Sequence, residues 1–313
     1  MFIGRKYELT IIKQAIVSKR AELGIVYGRR RIGKSTLLNE AAPKKNTLYF
    51  EALQGVSLKK QVEHFVYQFS KQTGTPIILA RNWHEAFDAL TLYIKKKRHY
   101  VVFDEFPWMA SQRRELVALF KYYWDNHWKQ NTNLTMVICG SVASFILNHI
   151  IHSKALHNRK TFEIKLQSLS AGESKLFFKN FRSENEICKF LIVFGGIPKY
   201  LEQIDPHTSF ENNIDRLCFQ KSGFFTNEFE TIFKEQFKVL KFHRNCPLFD
   251  HATMRRRAST KDFRGSFCFL LQTALKSSLN ATLAMICLKS EKAKLLRPLT
   301  LCRRSGIFSS RVA

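Results

Sequence analysis

The sequence predicts an α/β protein in which a parallel sheet is sandwiched by helices, followed by a helical lid and a poorly defined C-terminal tail. Three observations carry that expectation. Apolar strand-like runs alternate with helical patterns up to about residue 170, as in a parallel sheet with helical crossovers. One run passes straight into Gly28-Arg29-Arg30-Arg31-Ile32-Gly33-Lys34-Ser35, with the spacing GxxxxGK[ST]. Another, Tyr100 to Phe103, ends in the adjacent acids Asp104 and Glu105. In open α/β sheets ligands bind outside the carboxyl ends of the strands, and both features fall there.

Taken in order, residues 6–20 read as a first helix. Residues 24–28 read as a strand, built around Leu23, Ile25, Val26 and Tyr27. The loop that follows needs glycine at Gly28 and Gly33, so that successive N–H groups and the next helix N-terminus can point at a polyphosphate. Lys34 suits the β- and γ-phosphates, and the hydroxyl of Ser35 suits Mg²⁺. Thr36 opens the helix expected over 34–42. A mere glycine turn is the bland reading, and the flanking strand and helix weigh against it.

A strand is expected over 46–52, with helices over 57–73 and 82–97. The strand over 99–104 delivers Asp104 and Glu105. Such an ending alone also marks any buried strand leaving for solvent. Beside an upstream phosphate loop, it reads as a metal-orienting carboxylate, Asp104, and a water-polarising one, Glu105. A helix over 111–129 leads to a strand over 134–140. Ser141 at its end could report the γ-phosphate, although the motif alone favours an ordinary strand-to-helix turn. After a helix over 142–150, Arg159 precedes the last strand, 162–167. It suits a γ-phosphate contact in cis or from a neighbouring subunit, and is also one surface arginine in a very basic chain.

Residues 172–237 read as mainly helical, broken at Gly195-Gly196-Ile197-Pro198, a cap-and-restart signal. Taken together, several segments resemble the archaeal-type ATPases, a prokaryotic group within the AAA+/STAND branch of P-loop NTPases. They are Phe2-Ile3-Gly4-Arg5-x-x-Glu8-Leu9, the loop through Ser35, Val102-Phe-Asp104-Glu105-Phe, Cys139-Gly140-Ser141, Arg159, and Gly195-Gly196-Ile-Pro198-Lys-Tyr-Leu. The resemblance spans about residues 1–237. It implies five core strands, with the Cys139 strand between the phosphate-loop strand and the Asp104 strand. It also implies ATP with Mg²⁺, and ATP hydrolysis as the activity. It places Phe2, Ile3 and Gly4 against the adenine, and the loop from Gly28 to Thr36 around the phosphates. Ser35 and Asp104 then serve the metal, Glu105 the attacking water, and Ser141 and Arg159 act as sensors.

Composition bounds the rest. With 45% hydrophobic residues, the 313-residue chain can bury a core. No apolar run is long enough to span a membrane, and the N-terminus is charged where a secretory signal would be apolar, so a soluble cytoplasmic protein is expected. The seven cysteines are odd in number and lack a CxxC pair, and they read as reduced thiols. A net charge of +26 predicts attraction to polyanions such as nucleic acid or anionic lipid. Residues 238–313 hold 16 Lys/Arg against 3 Asp/Glu. The family's winged helix is expected there, and no helix-turn-helix period stands in its place.

The expected organisation is therefore a P-loop ATPase core over 1–170, a helical lid over 171–237 and a divergent basic tail over 238–313. That tail reads as translation in a shifted frame. The leading function is an AAA+-like Mg²⁺-dependent ATPase acting with DNA, with homo-oligomerisation among its expected partnerships. The alternatives are a nucleotide-dependent regulatory switch with little turnover, and a non-functional remnant.

Overall fold

The computed structural model describes residues 2–226 and 228, except 78, 96, 112, 142, 147–148, 151–157 and 179–181. The basic tail expected over 238–313 lies outside the described residues. Met1–Ser222 forms one compact unit and Gly223–Ala313 another. Of the second unit, residues 223–226 and 228 are described, with a helical turn over 224–226.

Five parallel strands run through the first unit: β1 (Glu22–Tyr27), β2 (Thr47–Glu51), β3 (His99–Asp104), β4 (Leu134–Gly140) and β5 (Phe162–Lys165). Their order is β2-β3-β4-β1-β5, so β4 separates the phosphate-loop strand β1 from the Asp104 strand β3. Strands β1, β3 and β4 are buried along their whole length, which is why their sequences are continuously apolar rather than alternating.

Alternation survives in which core each side chain enters. Leu23, Ile25, Val101, Phe103, Met136 and Ile138 face one core; Val26, Tyr100, Val102, Val137 and Cys139 face the other. The first core lies under α3 (Leu58–Thr73), α4 (Trp83–Ile94), α5 (Phe106–Met109) and α6 (Glu115–Tyr123). It is rich in aromatics: Phe87 packs edge-on against Phe65, Phe103, Phe120 and Trp128. The second core lies under α1 (Lys6–Val17) and α2 (Lys34–Ala41).

The helix expected over 111–129 starts late, and a separate short turn precedes it. Pro107 near the start of α5 gives a short helical turn, and α6 begins only at Glu115 and passes into a π-helical turn over Trp124–Trp128. The remaining helices are α7 (Ala143–Ile146), α8 (Ala171–Lys175), α9 (Glu184–Phe194), α10 (Pro198–Leu201) and α11 (Phe210–Ile214). Ser170, Ser183 and Ser209 cap α8, α9 and α11 by accepting from the backbone N–H three residues on. Gly195 ends α9 and Pro198 starts α10, as the Gly-Gly-x-Pro break predicts. Among the described residues no helix is long and apolar enough to cross a membrane.

Candidate functional site

The loop between β1 and α2 takes backbone conformations that side chains resist. Gly28 has φ +155° and Gly33 φ +86°. A Cβ on Gly28 would lie 2.3 Å from the Leu166 carbonyl oxygen and 2.6 Å from Ile32 Cδ1, so the loop is pressed against the exit of β5. Lys34 is buried at the start of α2, and its Nζ donates to the carbonyls of Gly28 (3.1 Å) and Arg29 (2.9 Å). The ammonium thus sits inside the curl of the loop. Arg29, Ser35 and Thr36 are exposed, Arg30 Nη2 reaches Gln54 Oε1 at 3.4 Å, and Arg31 holds φ +71°.

Across the sheet, Asp104 is 2% exposed and accepts on both carboxylate oxygens. Its Oδ2 accepts from Ser35 Oγ at 2.5 Å and from the Tyr49 hydroxyl, and its Oδ1 accepts from the Glu105 N–H at 2.9 Å. Hydroxyl and carboxylate oxygens meeting at the first turn of a phosphate-loop helix fit a hard oxygen-seeking cation such as Mg²⁺. Burial first, and then the Asp104 charge, drive the Tyr49 phenol far above its ordinary range, so it stays a donor. The same two causes push the fully buried Cys139 thiol well up. Cys139 is an inert wall of the site, as expected of a reduced buried thiol.

Glu105 takes a left-handed conformation (φ 51°, ψ 40°), which turns its side chain toward the end of β4. There its Oε2 accepts from Ser141 Oγ at 2.9 Å and from the Ser141 N–H at 3.3 Å. Lys34, Ser35, Asp104, Glu105 and Ser141 are therefore brought together at the carboxyl ends of β1, β3 and β4.

Arg159 stands apart from that group. Two residues after it, Thr161 bonds Leu23 at the start of β1 (Thr161 N–H to the Leu23 carbonyl, 2.8 Å). That is the amino end of the sheet, about 17 Å from the phosphate loop at about 3.3 Å per strand residue. Its guanidinium pairs in bidentate fashion with Asp125 (2.5 and 2.7 Å). This ion pair raises the Arg159 pKa and lowers that of Asp125.

The N-terminal box is placed by Arg5, to which sequence reasoning gave no role. Arg5 is 5% exposed with φ 60°. Its guanidinium donates to the carbonyls of Ile32 (3.3 Å) and Gln167, and its N–H donates to Glu173 Oε1 at 2.6 Å. It thereby joins the box to the phosphate loop, to the exit of β5 and to α8. Phe2 packs against the second core. From the helical segment, the Lys199 N–H reaches the Arg31 carbonyl at 3.4 Å, and Tyr200 is buried beside that loop. Burial raises the Tyr200 pKa against the opposing charges of Arg31 and Arg29.

Tyr49 is the other participant that sequence reasoning missed. It belongs to β2, and nothing local marks it; only the neighbouring position of β2 and β3, with Glu51 level with Asp104, puts its hydroxyl on Asp104.

Comparison with known proteins bears on the family and the fold. Residues 2–204 match the family described as an ATPase domain predominantly from Archaea. An uncharacterized protein of Methanocaldococcus jannaschii is 29% identical over 239 residues, 76% of this chain and 51% of that protein. The chain thus spans about half the length of that curated relative. Among solved structures, the Walker-type ATPase of Pyrococcus abyssi superposes with a TM-score of 0.55 at 18% identity, covering 76% of this chain and 77% of that one. The Aeropyrum pernix ORC1 protein in complex with DNA gives 0.50 at 12% identity, covering 100% and 86%. At these identities the likeness is one of fold.

Proposed function

The chain belongs to the family of ATPase domains predominantly from Archaea, and we propose that it binds ATP with Mg²⁺ and hydrolyses it. The observation that carries this reading is the meeting of Ser35 and Asp104 at 2.5 Å beside a buried Lys34. In this reading Lys34 leaves the carbonyls of Gly28 and Arg29 for the β- and γ-phosphates, and the loop N–H groups from Arg29 to Thr36 cradle the rest. Phe2, Ile3 and Gly4 border the adenine. Ser35 and Asp104 hold the metal, which when bound neutralises charge developing on the phosphate oxygens.

Glu105 accepts the proton of the water that attacks the γ-phosphate in line, and ADP and phosphate leave. Ser141, bonded to the same carboxylate, orients it and senses the γ-phosphate. Arg159 lies at the far end of the sheet, so its γ-phosphate contact would be made in a neighbouring copy of a homo-oligomer. The helices from α8 onward act as a lid on the loop through Lys199, and the protein works in the cytoplasm with nucleic acid as a partner.

One observation favours a second reading, a nucleotide-dependent switch with slow turnover: Ser141 already occupies Glu105 Oε2 with two hydrogen bonds. Purified full-length protein separates the two when compared with Lys34→Ala and Glu105→Gln in Mg²⁺-dependent ATP binding and phosphate release. The ATPase reading expects turnover in the parent, loss of nucleotide in Lys34→Ala, and binding without turnover in Glu105→Gln. A parent that binds ATP without releasing phosphate supports the switch, and a folded parent that binds no ATP refutes both.

A further inference from the structure

The parallel sheet has a second end. Its carboxyl edge carries the candidate nucleotide site, while its amino edge gathers the loops that lead into the strands. Those loops are 18–21, 42–46, 95–98, 129–133 and 158–161, and none contains Asp or Glu. Six exposed lysines stand on four of them: Lys44 and Lys45 before β2, Lys95 and Lys97 before β3, Lys129 before β4, and Lys19 before β1. Among the described residues none of the six forms a salt bridge. Most acids near this edge are already taken: Glu22 by Arg20, Asp125 by Arg159, Glu163 by Lys160 and Glu85 by Arg81, while Asp88 accepts from the Tyr123 hydroxyl.

Helix dipoles offer a bland account of this charge, because α1, α2, α3, α4 and the π-helical turn after α6 all end here. Each helix C-terminus is equivalent to about half a negative charge, so five contribute roughly −2.5. Glu40, exposed in the last turn of α2, and Asp88, which shares a pocket with Lys97, add two more, for roughly −4.5 in all. Six unpaired lysines exceed that sum, and a positive surplus remains. The edge is also fixed in place. Arg98 donates to the carbonyls of Ile16 and Ser18 (both 2.7 Å) and to Asn133 Oδ1 (3.2 Å), binding the loops before β1, β3 and β4 to one another.

We propose that this amino edge is a binding surface for the phosphate backbone of nucleic acid, on the opposite side of the sheet from the nucleotide site. Strands β2, β3, β4 and β1 are neighbours, so their leading loops span about 14 Å at about 4.8 Å per strand. That width covers about four phosphates of one DNA strand. The other side chains in these loops are mainly hydroxyls and amides, among them Ser18, Asn46, Gln130, Thr132 and Asn133, types that can donate to phosphate oxygens. They include no aromatic or large aliphatic side chain of the kind that anchors a protein in a bilayer. Such contacts read charge and spacing rather than base sequence. The inference rests on the nucleic-acid reading of the charge and is independent of ATP turnover.

The test uses the full chain without nucleotide and a fluorescein-labelled 20-base-pair duplex of arbitrary sequence, with anisotropy measured from 50 to 300 mM salt. The variant Lys44→Ala/Lys45→Ala/Lys95→Ala/Lys97→Ala removes four contacts, and each neutralised phosphate contributes about 0.9 to the slope of log K against log salt. The slope should become shallower by about 3 to 4, with ATP binding and melting temperature unchanged. The matching Lys→Arg variant should restore it. An unchanged slope overturns the proposal, since binding then lies elsewhere, as does a parent that binds no duplex. Sedimentation with phosphatidylserine–phosphatidylcholine vesicles is the second arm. Loss of vesicle binding in the alanine variant with DNA binding intact would make the surface a membrane contact and overturn the assignment. Loss of ATP binding in Lys34→Ala leaves the duplex measurement untouched, so the two readings fail separately.

Discussion

Replacing Tyr49 by phenylalanine removes one of the two hydroxyls that meet at Asp104 Oδ2. Asp104 Oδ2 accepts from both Ser35 Oγ and Tyr49, while Oδ1 accepts from the Glu105 N–H. The carboxylate is buried, so water cannot replace the lost donor freely. A hydrogen bond to a charged group contributes about 1.5–3 kcal/mol. Tyr49 itself is only partly buried, which puts the expected loss at the lower end, about 1.5–2 kcal/mol. For a unit of this size each kcal/mol moves the melting temperature by about 2–4 °C, so Tyr49→Phe should melt about 3–8 °C below the parent. Thermal unfolding followed by circular dichroism in EDTA reads this directly. Adding Mg²⁺ and ADP should narrow the gap, because a cation beside Asp104 supplies the positive partner that the phenol no longer provides. Since Ser35 donates to the same oxygen, Ser35→Ala and Tyr49→Phe should be non-additive in a double-mutant cycle. A Tyr49→Phe protein that melts within 1 °C of the parent in EDTA would refute the reasoning.

Three further outcomes are expected. Gly28→Ala drives a Cβ to 2.3 Å from the Leu166 carbonyl and should abolish ATP binding, as measured by equilibrium dialysis, while far-ultraviolet circular dichroism keeps its helical signal. Ser141→Ala removes one of two donors from Glu105 Oε2; ATP affinity should stay within about twofold, and turnover should fall by about tenfold, the equivalent of one charge-assisted hydrogen bond. The His99 pKa is lowered, by burial first and by the Lys97 charge, against the carbonyls of Lys97 and Ile94. Its folded value therefore lies below the unfolded 6.5, and between the two the unfolded chain binds the extra proton. The stability His99 contributes is present above pH 6.5 and lost as pH falls from there toward the folded value. Denaturant melts from pH 8 to 5 should show that loss in the parent and a flatter profile in His99→Gln.

The contrast between what was legible and what was not follows from chain separation. The phosphate loop is written in consecutive residues: Gly28 and Gly33 supply the backbone angles, and Lys34 and Ser35 open the next helix, so the sequence alone specifies its local shape. The buried parallel strands announce themselves in the same way, as continuous apolar runs bounded by polar loops. The Asp104–Glu105 ending and the Gly195–Pro198 break are equally local, and each falls where expected.

Contacts across strands required the tertiary structure. Tyr49 meets Asp104 because β2 pairs with β3, and Glu105 meets Ser141 because a left-handed backbone turns it toward β4. Arg5 serves three distant partners at once, which no local pattern encodes. Arg159 precedes a strand, and in a parallel sheet everything that precedes a strand lies at the end opposite the nucleotide site. The same directionality brings lysines scattered from residue 19 to residue 129 to one edge. In the sequence they read as a diffuse surplus of charge; strand order and direction are what make them a surface.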